Sequence, residues 1–153
     1  MPLPERYVGA VAVGTLLHVV VPIRLPLPAW TRLLGGSLIA GGAALIAWAV
    51  ESAAETSVDK PEELVTTGAY AVSRNPMYLG WGAAVLGAAI VNRNPWLLVA
   101  WLHAARAVHG EVLEEERSLS ARFGRNFEDY RIQQPRYLPP LGSRILNRWR
   151  PIA

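Results

Sequence analysis

Cysteine is absent from the 153 residues. That excludes disulfides, thiolate metal sites, cysteine nucleophiles and prenyl or palmitoyl attachment to this chain. Histidine is scarce: His18, His103 and His109 are scattered, and the last two stand six apart rather than the three or four that sets two ligands side by side on a helix. No metal constellation follows. The glycines lie inside apolar stretches, not in a strand-to-helix turn with a lysine or acidic partner, which excludes a nucleotide loop. No serine stands in a nucleophile elbow, and no internal repeat of useful length is present.

Charge is missing from long stretches. The chain is 52% hydrophobic with a mean hydropathy of +0.20, and the apolar residues gather in blocks instead of spreading evenly over one domain. Tyr7 to Ile23 and Trp30 to Val50 are nearly free of charge and have the length, about 17 to 25 residues, that crosses a bilayer. Pro76 to Val91 is a third apolar run. Pro95 to Val108 is a fourth and shorter one, carrying His103 and Arg106. Both start at a proline, which suits a first helical turn, and only Asn92-Arg93-Asn94 separates them, so they read as a tight helical hairpin. The first run is long, and more membrane-like sequence follows it instead of a cleavage pattern, so it is expected to stay.

The resulting fold class is all-α: an integral membrane helical bundle of about four transmembrane helices, a carboxyl-terminal amphipathic cytoplasmic helix and an irregular tail. Net charge is +3 with a pI near 9.7. Four spans put Arg6, Lys60, Arg74 and the tail arginines on one side and only Arg24, Arg32 and Arg93 on the other. The positive-inside rule then sets both termini and the hinge in the cytoplasm. Nucleic acid is not expected as a partner, because the tail interleaves Glu114, Glu115, Glu116, Glu128 and Asp129 with its arginines; membrane lipids explain the basicity better.

Small residues recur every fourth position at Gly36, Ala40 and Ala44, at Ser37 and Gly41, and at Gly80, Ala84 and Ala88. Such faces let helices approach closely in lipid, so they read as packing stripes for the bundle or for a homodimer. Glu51 to Pro61 reads as a polar connecting loop or interfacial segment. A charged amphipathic helix is expected from about Gly110 to Phe123, closed by Gly124, with a short helical turn over Phe127 to Ile132. Pro135, Pro139 and Pro140 then forbid regular helix, leaving an irregular segment against the membrane surface.

Polar residues collect at one membrane boundary. His103, Arg106, Gly110, Glu111 and Glu114 share a helical face by their three- and four-residue spacing. Either Arg106 snorkels and pairs with Glu111 or Glu114, or this face and the hinge Leu64 to Gly80 line one pocket. The triplet Glu114-Glu115-Glu116 is by default a solvated charge run; inward-facing members would bind a cationic ligand or act as a general base.

Two stretches resemble the isoprenylcysteine carboxyl methyltransferases and the related small bacterial and phospholipid methyltransferases of the membrane. The first is Leu64 to Tyr70 followed by Arg74-Asn75-Pro76-Met77-Tyr78-Leu79-Gly80; the second is Glu115 to Gly124 with Phe127 and Tyr130 after it. The Asn94-Pro95 start of the fourth run fits too. Residues 1–153 then form a single integral membrane domain, with two amino-terminal spans over 1–50 and the signature region over 64–140. The resemblance implies a methyltransferase using S-adenosylmethionine, with S-adenosylhomocysteine as product, acting on a lipophilic acceptor such as an isoprenoid or fatty carboxylate or a lipid amine. A bacterial inner membrane is the implied location.

By the same resemblance, Thr66, Gly68, Tyr70, Arg74, Asn75, Pro76, Tyr78, His109, Glu115 and Glu116 are cofactor-binding. Glu116, Tyr78 and Arg136 are catalytic. Arg74 would take the cofactor carboxylate, Gly68 would let the backbone approach the ligand, and Glu115 or Glu116 would meet its amino group or ribose. Prenylcysteine enzymes carry an arginine where this chain has Gln133, which weakens a prenylcysteine acceptor specifically. The competing expectation is a non-catalytic membrane protein that keeps the scaffold to bind lipid or a partner. A channel is poorly supported, because the polar residues gather at one end rather than along a path.

Overall fold

A computed structural model describes residues 5–59 and 64–138. Lys60 to Glu63 and the tail from Pro139, with its expected course along the membrane, lie outside the described residues. Five α-helices follow one another, α1 (Glu5–Val20), α2 (Thr31–Asp59), α3 (Pro76–Val91), α4 (Pro95–Phe123) and α5 (Arg125–Gln133), with a 3-10 turn at Gly68–Ala71; the described residues contain no strand. The fold class is therefore all-helical.

Local chemistry sets the helix ends. Proline opens both α3 and α4, where its missing N–H costs nothing. The Asn94 side chain caps α4 by accepting from the Leu97 N–H at 3.0 Å, and its amide donates to the Gly14 carbonyl of α1 at 3.2 Å. Arg93 takes the left-handed conformation (φ 52°) that turns α3 back into α4. Gly124, at φ 53°, ends α4 and starts α5.

The four long helices run up, down, up and down. Arg6 of α1 pairs with Glu111 of α4 at 2.6 Å, while farther along Gly14 meets the Leu97 backbone, so these two are antiparallel. Helices α2 and α3 are antiparallel and closer still. A Cβ on Gly42 would stand 2.5 Å from the Gly80 carbonyl oxygen, and one on Gly87 would stand 2.5 Å from the Gly35 carbonyl oxygen. Backbone contact of this kind needs glycine on both sides. The core between the pairs is Tyr7, Ala10, Val85, Ala89, Leu97, Ala104, Val108 and Val112.

Three expectations change. The stripes Gly36–Ala40–Ala44 and Ser37–Gly41 face outward and pack nothing within the fold; α2 uses Gly35 and Gly42 instead. On α3, Gly80 and Ala84 do take part. Helix α2 continues through Asp59 where a loop was expected from Glu51, because Ala and Glu are good helix formers and no glycine or proline interrupts them before Pro61. The fourth apolar run and the amphipathic helix after it are one 29-residue helix.

Thr31–Ala54 is 24 residues long and apolar enough to cross a membrane; Pro76–Val91 is apolar but shorter. Around them, Val8, Leu16, Val19 and Val20 of α1, Leu33 of α2 and Val99 of α4 turn their side chains outward. That much large exposed apolar surface on a helical bundle fits a membrane protein.

Candidate functional site

The hinge is built onto the end of α2. Gly68 has φ 57°, and a Cβ there would collide with the Ser52 hydroxyl. Ser52 donates to the Trp48 carbonyl at 2.7 Å and accepts from the Ala69 N–H at 3.1 Å, pinning the turn. Gly68 is thus required by its own backbone and by Ser52, a physical reason different from close approach to a ligand.

Residues 134–138 form a strap beside the hinge. The Arg74 N–H donates to the Pro135 carbonyl at 3.0 Å, and the Ser73 hydroxyl and Asn75 amide both donate to the Arg136 carbonyl, at 3.2 and 3.1 Å. From α5, the Tyr130 hydroxyl donates to the Tyr70 carbonyl at 2.7 Å. The two signature stretches, distant in sequence, therefore meet.

Their meeting point is charged and buried. Glu116 is 8% exposed; Arg136 donates to both of its oxygens, at 3.0 and 2.8 Å, and Arg74 Nη1 lies 2.9 Å from Oε1. Burial pushes the Glu116 carboxyl up, but the Arg136 hydrogen bond and the charges of Arg74 and Arg136 outweigh it and hold it below the usual carboxylate range. Two guanidinium groups against one carboxylate leave a surplus positive charge. It resides mainly on Arg74, whose side chain is 8% exposed, whose Nη1 faces Glu116 and whose Nε has no hydrogen-bond acceptor. Buried donors without partners are costly unless a ligand supplies an acceptor.

Two cavities border this cluster and another lies among the membrane-type helices. The first, about 280 Å³, lies between the hinge, α4 and α5 and is lined by Tyr70, Arg74, Asn75, Glu115, Glu116 and Tyr130. The second, about 400 Å³ and largely apolar, lies among α1, α3 and α4 and is lined by Tyr7, Tyr78, Gly82, Trp101, His109 and Tyr137. Two of its lining residues, Tyr137 and His109, are joined by a 2.9 Å hydrogen bond at His109 Nδ1. A third, about 480 Å³, opens between α4 and α5 beside Arg117, Arg131 and Arg136.

Of the residues named from sequence, Tyr70, Arg74, Asn75, Glu115 and Glu116 come together around the first cavity. Tyr78 and His109 line the second. Glu115 lines the first cavity and Tyr78 the second, and the two side chains are near enough to interact. Thr66 is exposed, and Pro76 is among the most fully buried side chains, serving the start of α3. Arg136 is held by Glu116, its fork matching the carboxylate.

The polar face through His103, Arg106 and Glu114 is a correction: it is exposed, and the inward face of α4 is Ala104, Val108, Val112 and Glu116. Glu111 pairs with Arg6 and Glu114 with Arg117, not with Arg106. Sequence reasoning assigned no role to Ser52, Ser73 or Tyr137; each is an isolated polar residue whose partner comes from a remote segment, so only the fold shows it.

A model of the family described as phospholipid methyltransferase matches residues 30–126. Over 77 residues the chain is 38% identical to a protein-S-isoprenylcysteine O-methyltransferase of Xenopus laevis, covering 50% of this chain and 27% of that protein. The proteins of the same name from Mus musculus and Homo sapiens are each 36% identical, over 81 and 77 residues, with the same coverage. The chain thus spans about a quarter of the length of these relatives. No solved structure matches it. The family match takes in both signature stretches up to α5 and well over half of the sequence, and the chain belongs to the phospholipid methyltransferase family.

Proposed function

We propose that this chain is an integral membrane methyltransferase of four spans, which moves a methyl group from S-adenosylmethionine to a lipophilic acceptor at the cytoplasmic face. The observation that carries the reading is the pair of adjoining cavities. One carries the charged Arg74, Glu115 and Glu116 and is bounded by both signature stretches, and the other is apolar and bounded by membrane-type helices.

The polar cavity fits the donor. Arg74 offers a buried guanidinium whose Nε donor has no acceptor, which suits the carboxylate of an amino-acid moiety. Glu115, which lines the same cavity, suits an ammonium group or ribose hydroxyl. Tyr70, Phe123 and Tyr130 give aromatic surface nearby. Bound there, the cofactor would supply a methyl group on sulfur. Glu116 holds Arg74 and Arg136 in place, and the apolar cavity orients the acceptor. Positioning of the two reactants in a site shielded from water supplies most of the rate.

The end of the bundle bearing Arg6, the hinge and α5 would be cytoplasmic, with Arg24 and Arg93 at the other end, and a bacterial inner membrane would accommodate this topology. The outward small-residue stripe on α2 would serve a homodimer. Both are part of the proposal.

Isothermal titration of the detergent-solubilised chain with S-adenosylhomocysteine tests the reading. Binding by wild type and its loss in Arg74→Ala is the expected result. No binding to wild type, or equal binding to R74A, would leave the non-catalytic scaffold as the better account.

A further inference from the structure

Leu113, Glu116, Arg117, Ser120 and Ala121 fall at helical spacing and share one face of α4. That face, together with α5 and the strap, walls the groove of about 480 Å³ between α4 and α5. The function just proposed gives this groove no task. Its lining includes three arginines from three separate segments: Arg117 of α4, Arg131 of α5 and Arg136 of the strap. Glu116 is the acidic residue among its described lining residues.

Two of the three cations are weakly held. Arg117 pairs with Glu114 and Arg131 with Glu128; both pairs are exposed to solvent, and neither Glu114 nor Glu128 lines the groove. Exposed ion pairs contribute little, so a doubly charged acceptor can draw both guanidinium groups at small cost. Glu128 would not be stranded by this, since the Ser120 hydroxyl also donates to it, at 2.9 Å. Arg136 is held more firmly, through Nε and Nη2 on the two oxygens of Glu116. Glu116 lines both the groove and the polar cavity, whereas Arg136 lines only the groove and Arg74 only the polar cavity. One carboxylate thus divides its charge between a guanidinium on either side.

We infer that the α4–α5 groove binds a phosphate monoester, and that its occupation loosens the polar cavity's hold on the methyl donor through Arg136, Glu116 and Arg74. Guanidinium forks match phosphate oxygens, and a dianion answers Arg117, Arg131 and Arg136 together where one carboxylate cannot. The groove has the volume for a phosphate with an organic group attached. A phosphate that draws Arg136 toward the groove leaves the Glu116 carboxylate to Arg74 alone. Arg74, pulled harder toward Glu116, then has less to offer a carboxylate in the polar cavity. The site stands on the groove itself, while the coupling rests on the donor reading given above. A lipid headgroup and a soluble ester carry the same chemistry to this end of the bundle.

The test uses the full chain in phosphatidylcholine nanodiscs, with sodium phosphate or sodium chloride at equal ionic strength and pH. Phosphate should raise the Tm of wild type above its value in chloride, and should raise the Kd for S-adenosylhomocysteine by about fivefold or more in calorimetry. By reciprocity, saturating S-adenosylhomocysteine should shrink the Tm gain that phosphate gives. The double variant Arg117→Ala, Arg131→Ala should keep its helix content and its S-adenosylhomocysteine Kd in chloride while losing both responses to phosphate. Equal wild-type Tm in the two salts would overturn the site, and that comparison needs no variant to fold. A Tm gain with an unchanged S-adenosylhomocysteine Kd would overturn the coupling and the inference with it, as would responses that persist in the double variant.

A second arm separates the two sources. Discs in which a tenth of the lipid is phosphatidic acid are titrated with S-adenosylhomocysteine in chloride alone. A raised Kd there assigns the phosphate to a lipid headgroup; an unchanged Kd beside a positive response to free phosphate assigns it to a soluble ester. The two readings also fail separately. A wild type that never binds S-adenosylhomocysteine but gains Tm in phosphate would remove the proposed function and the coupling while leaving the groove as an anion site.

Discussion

The Tyr130 hydroxyl reaches the Tyr70 carbonyl at 2.7 Å, joining α5 to the hinge across 60 positions of chain. Burial raises the Tyr130 phenol well above its ordinary range, so it stays protonated and donates. Tyr130→Phe keeps the ring and removes the donor, leaving the Tyr70 carbonyl without this partner. The expected loss is about 1 kcal/mol of stability, read as a lower apparent Tm in detergent, together with weaker S-adenosylhomocysteine binding. An unchanged Tm and Kd would show that the hinge is held without this bond.

Glu116 couples the site to pH. Its carboxyl titrates below the usual range, so the ionised form stabilises the fold above the ordinary carboxylate value, and that contribution is lost as pH falls through the depressed folded value. Apparent Tm should therefore drop on acidification below that range. Glu116→Gln should lower Tm at neutral pH, by an amount corresponding to about 3–5 kcal/mol, since it strands two guanidinium groups, one of them buried. The variant should also lose the acid-dependent part of the decline.

The α2–α3 seam separates glycines that matter from those that do not. Gly42→Ala and Gly80→Ala force a methyl group against a facing carbonyl at 2.5 and 2.7 Å, and each should cost about 1–3 kcal/mol. Gly36→Ala and Gly41→Ala meet nothing within 4 Å and should be neutral or mildly stabilising. Unfolding of the four variants in mixed micelles ranks them. Equal effects would contradict the backbone contact.

Gly68→Ala carries two penalties, a left-handed backbone and a collision with Ser52. Adding Ser52→Ala removes the hydroxyl but leaves the Cβ at that position 2.8 Å from the new methyl group, together with a conformational cost of about 1–2 kcal/mol. The double variant should recover part of the stability lost in G68A, and full recovery would mean that the backbone conformation costs nothing there.

Tyr137→Phe breaks the 2.9 Å bond to His109 in the lining of the apolar cavity. The acceptor KM should rise by about three- to tenfold, the equivalent of one hydrogen bond. Affinity for S-adenosylhomocysteine should not change. A shift in the latter instead would assign Tyr137 to the donor side.

Much of the molecule was legible in advance because its signals are local. Apolar blocks bounded by Pro76, Pro95 and Gly124 mark helix ends that the structure keeps. The stripes misled because spacing of four suits a crossing between tilted helices, whereas α2 and α3 lie antiparallel with glycines seven positions apart, Gly35 and Gly42 against Gly87 and Gly80. A seven-residue period was available in the sequence, but two glycines on each of two segments carry no information until the segments are paired. Site residues followed the same division. Arg74 and Glu116 stand inside recognisable motifs. Ser52 and Tyr137 do not, since each is a single polar side chain whose meaning lies in a partner 17 or 28 positions away.

Helix α2 clamps α3 with its backbone while α1 rests on α4, and the contact between those two pairs, α3 against α4, is thinner. The apolar cavity lies along that weaker boundary, with Tyr7 and Leu38 contributed from opposite pairs. On the proposed function, a bilayer molecule would enter sideways by a small parting of these two pairs, with the α2–α3 glycine seam left intact.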